Sequence, residues 1–168
     1  MYRTLFASVM AIALMTSPAL PDAVPHLAGP VVLTVTGLDP NDYPGGQATF
    51  DVPALQALGE ITITTSSIWT QGKHSFSGTP LSALLRHLKV KDGKLSLHAI
   101  NDYALEMPSD AVADDAPILA YDMDGAPMPV RDKGPIWVIY PFDDNSEYRS
   151  DTIFARSVWQ LDRIDVLR

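Results

Sequence analysis

Arg131-Asp-Lys-Gly-Pro-Ile-Trp-Val-Ile-Tyr-Pro141 is the stretch whose reading decides the fold. Three charges open it, Gly134-Pro135 turns it, and Ile136-Trp137-Val138-Ile139-Tyr140 runs on without a polar break. A short β-branched and aromatic run bounded by Gly-Pro and Pro is the pattern of a strand buried on both faces. Gly134 is expected to supply an unusual backbone angle at the entry, and Pro135 to stiffen the turn. Arg131 and Lys133 suit anions there, and Asp132 suits an amidine or amide donor. The competing reading is a solvated turn ahead of a core strand.

Upstream, residues 1–19 carry one early cation, Arg3, then an apolar run closing on small residues. Ser17 and Ala19 stand at signal-peptidase spacing, and the segment is short for a membrane span and lacks a charged stop on its far side, so it reads as a cleaved signal peptide, with an uncleaved anchor as the alternative. Residues 20–30 read as an extended Pro-rich arm and residues 31–168 as a single domain. The chain has 168 residues, 46% of them hydrophobic and 19% charged, which suits a globular core and excludes a disordered chain. Removing Arg3 leaves 11 basic residues against 20 acidic ones, a net charge of −9. That charge argues against nucleic acid and against an anionic membrane surface. Export without any cysteine fits the periplasm and removes any disulfide framework.

The pattern around the central stretch predicts many strands and few short helices, with no repeat or linker. Residues 31–36, 48–52, 60–65, 95–100, 103–107 and 118–123 read as strands, and 158–167 as a long closing one. Asp51 is predicted to cap a short helix over 53–58 closed by Gly59. Thr79 as N-cap and Pro80 at the first helical position start the clearest helix, whose Leu81, Leu84, Leu85 and Leu88 share a core face. Asp124-Gly125 is a hairpin turn, and residues 143–148 are an irregular polar stretch.

Metal, phosphate and hydrolase motifs are missing from this pattern. His26, His74, His87 and His98 are scattered, and Asp122-Met-Asp-Gly125 lacks the later ligands of a calcium loop. Neither a Gly-x-Ser-x-Gly elbow nor a glycine-rich phosphate loop is present. What remains is polar and aromatic residues at strand ends: Trp69, Asn101-Asp102-Tyr103, the 131–133 charges, and Tyr148, Arg149, Asp151, Arg156 and Trp159 near the end. Flat heteroaromatic ligands need such a mixture, with rings to stack and a carboxylate or amide for the ring edge.

Thr64-Thr-Ser-Ser-Ile-Trp-Thr70, Phe76-Ser-Gly-Thr-Pro-Leu81, Asn101-Asp-Tyr-Ala-Leu-Glu106, Met123-Asp-Gly125, the 131–141 stretch and Arg156-Ser-Val-Trp-Gln-Leu161 occur together in one family. In that order, over residues 31–167, the chain resembles small exported proteins of the sulfite-oxidase-type molybdopterin-binding fold. The resemblance implies an α+β domain with a mainly β core and a pterin cofactor in a cleft at loop ends. Catalytic members ligate molybdenum through a cysteine thiolate, and the matching position here is Thr65. A hydroxyl that stays protonated at neutral pH is a poor substitute for a soft anionic thiolate. Trp137 stands where catalytic members tend to carry an arginine near the cofactor phosphate, and Asp132 where they carry an asparagine.

The resemblance therefore implies a non-catalytic periplasmic protein that binds a reduced, tetrahydropterin-type ligand, with molybdenum not expected. Its degenerate branch includes regulators that touch the sensory domain of a membrane-bound cyclic-di-GMP enzyme, and such a partner is expected here. Asp132 would meet the pterin edge and Trp137 or Trp69 would stack on it. Asn101, Asp102, Tyr103, Arg131, Lys133, Tyr140 and Arg156 would line the cleft. The competing classes are a molybdopterin-dependent oxidoreductase with an oxygen ligand such as Thr65 or Ser66, and an accessory interaction subunit of a periplasmic redox system.

Overall fold

The computed structural model describes residues 27–168. The predicted signal peptide and residues 20–26 of the arm lie outside the described residues. In chain order the elements are β1 (Leu33–Thr36), β2 (Gln47–Phe50), α1 (Val52–Ala57), β3 (Ile61–Ser66), β4 (Lys73–Pro80) and α2 (Leu81–His87). They continue with β5 (Lys94–Ala99), β6 (Ala104–Pro108), β7 (Ile118–Met123), β8 (Ala126–Pro127), β9 (Trp137–Ile139), α3 (Asp151–Arg156) and β10 (Leu161–Leu167). One sheet has the order β2-β1-β10-β5-β6, antiparallel except for the β1–β10 pair. The other has the order β3-β4-β7-β8, with β9 also paired to β7. Among the described residues the architecture is α+β with a mainly β core and three short α-helices, and the α+β class with few short helices is as expected.

β9 is held along both edges. Ile118, Leu119 and Ala120 of β7 stand opposite Ile139, Val138 and Trp137. On the other side Val138 N donates to Val158 O at 2.8 Å and Leu161 N to Ile136 O at 3.0 Å, while Gln160 N reaches Lys133 O at 2.9 Å. Residues 158–161 lead into β10, so this stretch ties the two sheets together. Ile136 to Ile139 are wholly buried and Tyr140 nearly so, as the unbroken apolar run predicts. Burying each such side chain is worth about 1.5–3 kcal/mol, against roughly 1 kcal/mol net for a ladder hydrogen bond. Packing therefore outweighs the ladder in holding the stretch at the centre.

Gly134 serves this position differently from the expectation. It is not among the residues with positive φ; instead, a Cβ there would collide with the Met128 carbonyl. Close backbone approach, not an unusual angle, requires the glycine.

Elsewhere the local chemistry agrees with the sequence with specific exceptions. Asp51 caps α1, accepting from Ala54 N at 2.8 Å, and its second oxygen takes Ala28 N at 2.6 Å and Gly29 N at 2.7 Å. One buried carboxylate so holds both the helix start and the last turn of the arm. The Leu81, Leu84, Leu85 and Leu88 stripe is buried, but Thr79 is not the N-cap of α2. It belongs to β4 and donates its hydroxyl to Leu55 O at 2.8 Å, which leaves Pro80 as the cap residue.

β4 itself is unexpected, because Lys-His-Ser-Phe-Ser-Gly-Thr-Pro carries no apolar alternation. It is a strand because β3 and β7 pair with its two edges. α3 forms inside a stretch without apolar periodicity. The closing strand begins at Leu161, not at residue 158, since Gln160 has φ +53° and residues 158–160 bond to the 133–138 segment instead. The Asp124-Gly125 hairpin is as expected, with φ of +53° and +77°.

Gly134→Ala is expected to lower unfolding stability in urea by at least about 2 kcal/mol through backbone overlap. Gly125→Ala, where the added carbon meets open space, should cost only about 1–2 kcal/mol for the left-handed backbone.

Candidate ligand-binding site

Trp69 is placed by a turn rather than by a strand. Its N–H donates to Ser67 Oγ at 3.2 Å, and Ser67 Oγ shares a 2.7 Å hydrogen bond with Thr70 Oγ1. From there the indole meets four rings edge-on, at centroid distances of 5.8 Å to Trp137, 6.2 Å to Phe142, 5.7 Å to Phe154 and 5.7 Å to Trp159. Edge-to-face contact is the favoured geometry for aromatic quadrupoles. Rings set at angles also enclose space that parallel rings would fill.

A cavity of about 370 Å³ opens beside this cluster. Its walls include Trp69, Trp159, Phe154 and Tyr103, with Ala99, Ala155 and Val158 between them and Asn101 and Ser157 as polar groups. That volume and a mainly apolar lining with few polar handles suit a small flat molecule. The walls come from the turn after β3, the β5–β6 turn, α3, and the link from α3 to β10. The β5–β6 turn is fixed by Asp102 N donating to Ala99 O at 3.0 Å and by Ile100 N bonding Gln160 O at 2.9 Å. Asn101 Oδ1 accepts from Tyr103 N at 3.2 Å, which leaves the Asn101 amide NH2 to donate outward. Ile68, Ile100 and Tyr103 are exposed, with Tyr103 at 46%.

Three residues named from the sequence, Trp69, Asn101 and Tyr103, come together in this cavity. Asp102 is exposed at the turn with φ +64° and does not line it. Arg131 and Asp132 are exposed on the turn before β9 and do not line it either. Lys133 places Nζ 3.9 Å from the Trp159 ring centroid.

Trp137 cannot offer a ring face to a ligand. It is wholly buried, packs edge-on to Trp69 and donates Nε1–H to Ser157 O at 3.1 Å. Tyr140 is likewise enclosed, and its hydroxyl has no hydrogen bond of good geometry among the described residues. Burial pushes that phenol up to about 12, with the nearby Arg156 guanidinium opposing the shift. Arg156 thus faces the core tyrosine and is not a cavity wall.

Phe154 and Trp159 are the ring walls that the set expected to contact the ligand leaves out. Trp159 was visible only as an aromatic near the chain end. Phe154 carries a signal too weak to use, a single ring between Ser150 and Arg156 in a six-residue helix.

A family model described as the oxidoreductase molybdopterin binding domain matches residues 47–167. No curated protein matches the chain.

The chemistry at position 65 tests the fit of a metal-bearing cofactor. Thr65 is wholly buried. Its hydroxyl donates to Ser66 O at 3.2 Å and accepts from Asp143 N at 3.2 Å. A neutral hydroxyl engaged by backbone on both sides does not fit molybdenum. The Asp143 carboxylate then closes the same corner: it accepts from Ser66 Oγ at 2.6 Å and Ser66 N at 3.0 Å, and pairs with Lys73 at 3.1 Å and with Arg149. The two Ser66 hydrogen bonds and then the Lys73 ammonium hold its carboxyl well below the usual carboxylate range. Thr65 thus offers no free anionic donor, and the cavity walls are mainly aromatic and apolar.

A carboxylate with a depressed native pKa stabilises the fold fully above its unfolded value and loses that contribution as pH falls through the native one. Wild type is therefore expected to exceed Asp143→Asn in urea midpoint at pH 7, and the gap should shrink steadily below about pH 4. A gap that stays constant between pH 7 and pH 2.5 would show that ionisation of Asp143 is not what holds this corner.

Proposed function

The chain belongs to the oxidoreductase molybdopterin-binding domain family, and on that premise we propose that it binds a reduced pterin and ligates no molybdenum. One observation carries the reading, an aromatic cavity sized for a flat heterocycle; the Thr65 hydroxyl, engaged by backbone on both sides, supports the absence of a metal ligand at that position. Trp69 and Trp159 give the ligand its apolar surfaces, and the Asn101 amide gives it a donor. Asp132, exposed on the turn and not a cavity wall, is the proposed acceptor for an amidine edge that extends beyond the walls, since one carboxylate can take two parallel N–H groups.

The protein is proposed to act in the periplasm. The leader-like residues 1–19 and the absence of cysteine support that location. Its proposed role is to report pterin to a membrane signalling partner such as a cyclic-di-GMP enzyme. Tyr103, a cavity wall, and Ile68 and Ile100, next in sequence to the walls Trp69 and Asn101, are exposed apolar groups that support a partner surface at this end of the domain.

Protein purified from periplasm without air is expected to release pterin stoichiometrically and to contain no molybdenum by metal analysis. Molybdenum near one per chain would restore the oxidoreductase, and absence of both, with no binding on titration, would favour the accessory interaction subunit. Asp132→Ala should weaken tetrahydropterin binding by about ten-fold or more, as expected for a charged hydrogen-bond partner. Thermal stability should be unchanged. Normal binding by that variant would remove Asp132 from the site. Tyr103→Ala should weaken binding by about 2- to 10-fold, the range of one aromatic contact, again with an unshifted melting temperature.

A further inference from the structure

Lys133 holds its charge on indole rings. Its Nζ stands 3.9 Å from the Trp159 centroid and 5.4 Å from that of Trp137. Among the described residues no carboxylate forms a salt bridge with it. Its backbone is fixed, since Lys133 O accepts from Gln160 N at 2.9 Å and Gly134 N donates to Pro129 O at 3.1 Å. Trp159 lines the cavity and Lys133 does not. The ammonium and the cavity therefore share this one indole.

We propose that Lys133 sets the oxidation-state preference of the cavity, favouring a reduced pterin over an oxidised one by its position over the ring of Trp159. This rests on the pterin reading above. An indole is electron-rich, so taken alone it stacks better on an electron-poor ring. Oxidised pterin is such a ring, because its fused pyrazine withdraws density. A tetrahydropterin keeps only the pyrimidinone ring conjugated, and its amino nitrogens feed density into it. The bare indole would therefore favour the oxidised form. A cation over the ring draws indole density toward itself, which relieves repulsion of an electron-rich partner in contact with the same indole. The missing carboxylate matters here, since a paired lysine would have its field largely cancelled. Asp132 and Arg131 flank Lys133 in sequence, and neither forms an ion pair with it or with the other.

The test is anaerobic calorimetry of the full mature chain with 6-methyltetrahydropterin and with 6-methylpterin, for wild type, Lys133→Met and Lys133→Arg. Methionine keeps an apolar stem over the indole without the charge, and arginine keeps the charge. The ratio of oxidised to reduced Kd should fall about 3- to 10-fold in Lys133→Met, the span of a partly exposed cation–π contact, and stay near wild type in Lys133→Arg. Near-ultraviolet circular dichroism of the free variants checks that the tryptophan cluster is intact. If Lys133→Met weakens both ligands equally, or neither, Lys133 only packs against the cluster and the proposal is overturned while the pterin reading stands. If wild type binds neither ligand, the pterin reading itself has failed, and this inference fails with it.

Discussion

The whole arrangement depends on a five-residue run that is paired on both edges and buried on both faces. Ile136 to Tyr140 leave solvent together, so their backbone groups must be satisfied inside the protein. β7 satisfies one edge and residues 158–161 the other. Because those two partners belong to different sheets, satisfying this one run fixes how the sheets meet. The collision that any Cβ at Gly134 would make with Met128 shows how closely the chain must pass on its way in.

Once the sheets are so joined, aromatic residues from separate elements are forced into one cluster. Trp69 comes from a turn, Trp137 from β9, Phe142 from the segment after it, Phe154 from α3 and Trp159 from the link to β10. Their edge-on contacts are energetically favourable but do not fill space, and the cavity beside them is the result. Burial sorts the rings by role. Trp137 is enclosed and anchors the cluster, whereas Trp69 and Trp159 are half-buried and still face the cavity.

Electrostatics divides the same region into two unlike corners. At Thr65 and Ser66 every charge is answered, with Asp143 accepting from a backbone amide and a hydroxyl and pairing with two cations. That corner is closed by its own hydrogen bonds and ion pairs. At the 131–133 turn the three charged side chains form no salt bridge among the described residues, and the lysine rests on aromatic rings instead. A satisfied network rigidifies and an unpaired charge keeps its field, so the two corners differ in electrostatic character.

Much of this was legible in the chain itself. The apolar run of 136–140, the Asp51 cap, the leucine stripe of α2 and the Asp124-Gly125 turn each rest on local chemistry, in which a short window contains its own cause. The ordered motifs likewise pointed to the family that matches residues 47–167. Trp69, Asn101 and Tyr103 were recognisable as site candidates because polar and aromatic residues at strand ends are seldom needed for packing alone. Other features could be decided only in three dimensions. Lys73–Pro80 is a strand because neighbours pair with both edges, Thr79 caps nothing because Leu55 O lies across from it, and Trp137 is core because two sheets close over it. Phe154 and Trp159 became cavity walls only when α3 and the link to β10 folded back onto Trp69. A sequence window carries propensity and pattern, whereas burial, edge pairing and the facing of rings are set by residues far away along the chain.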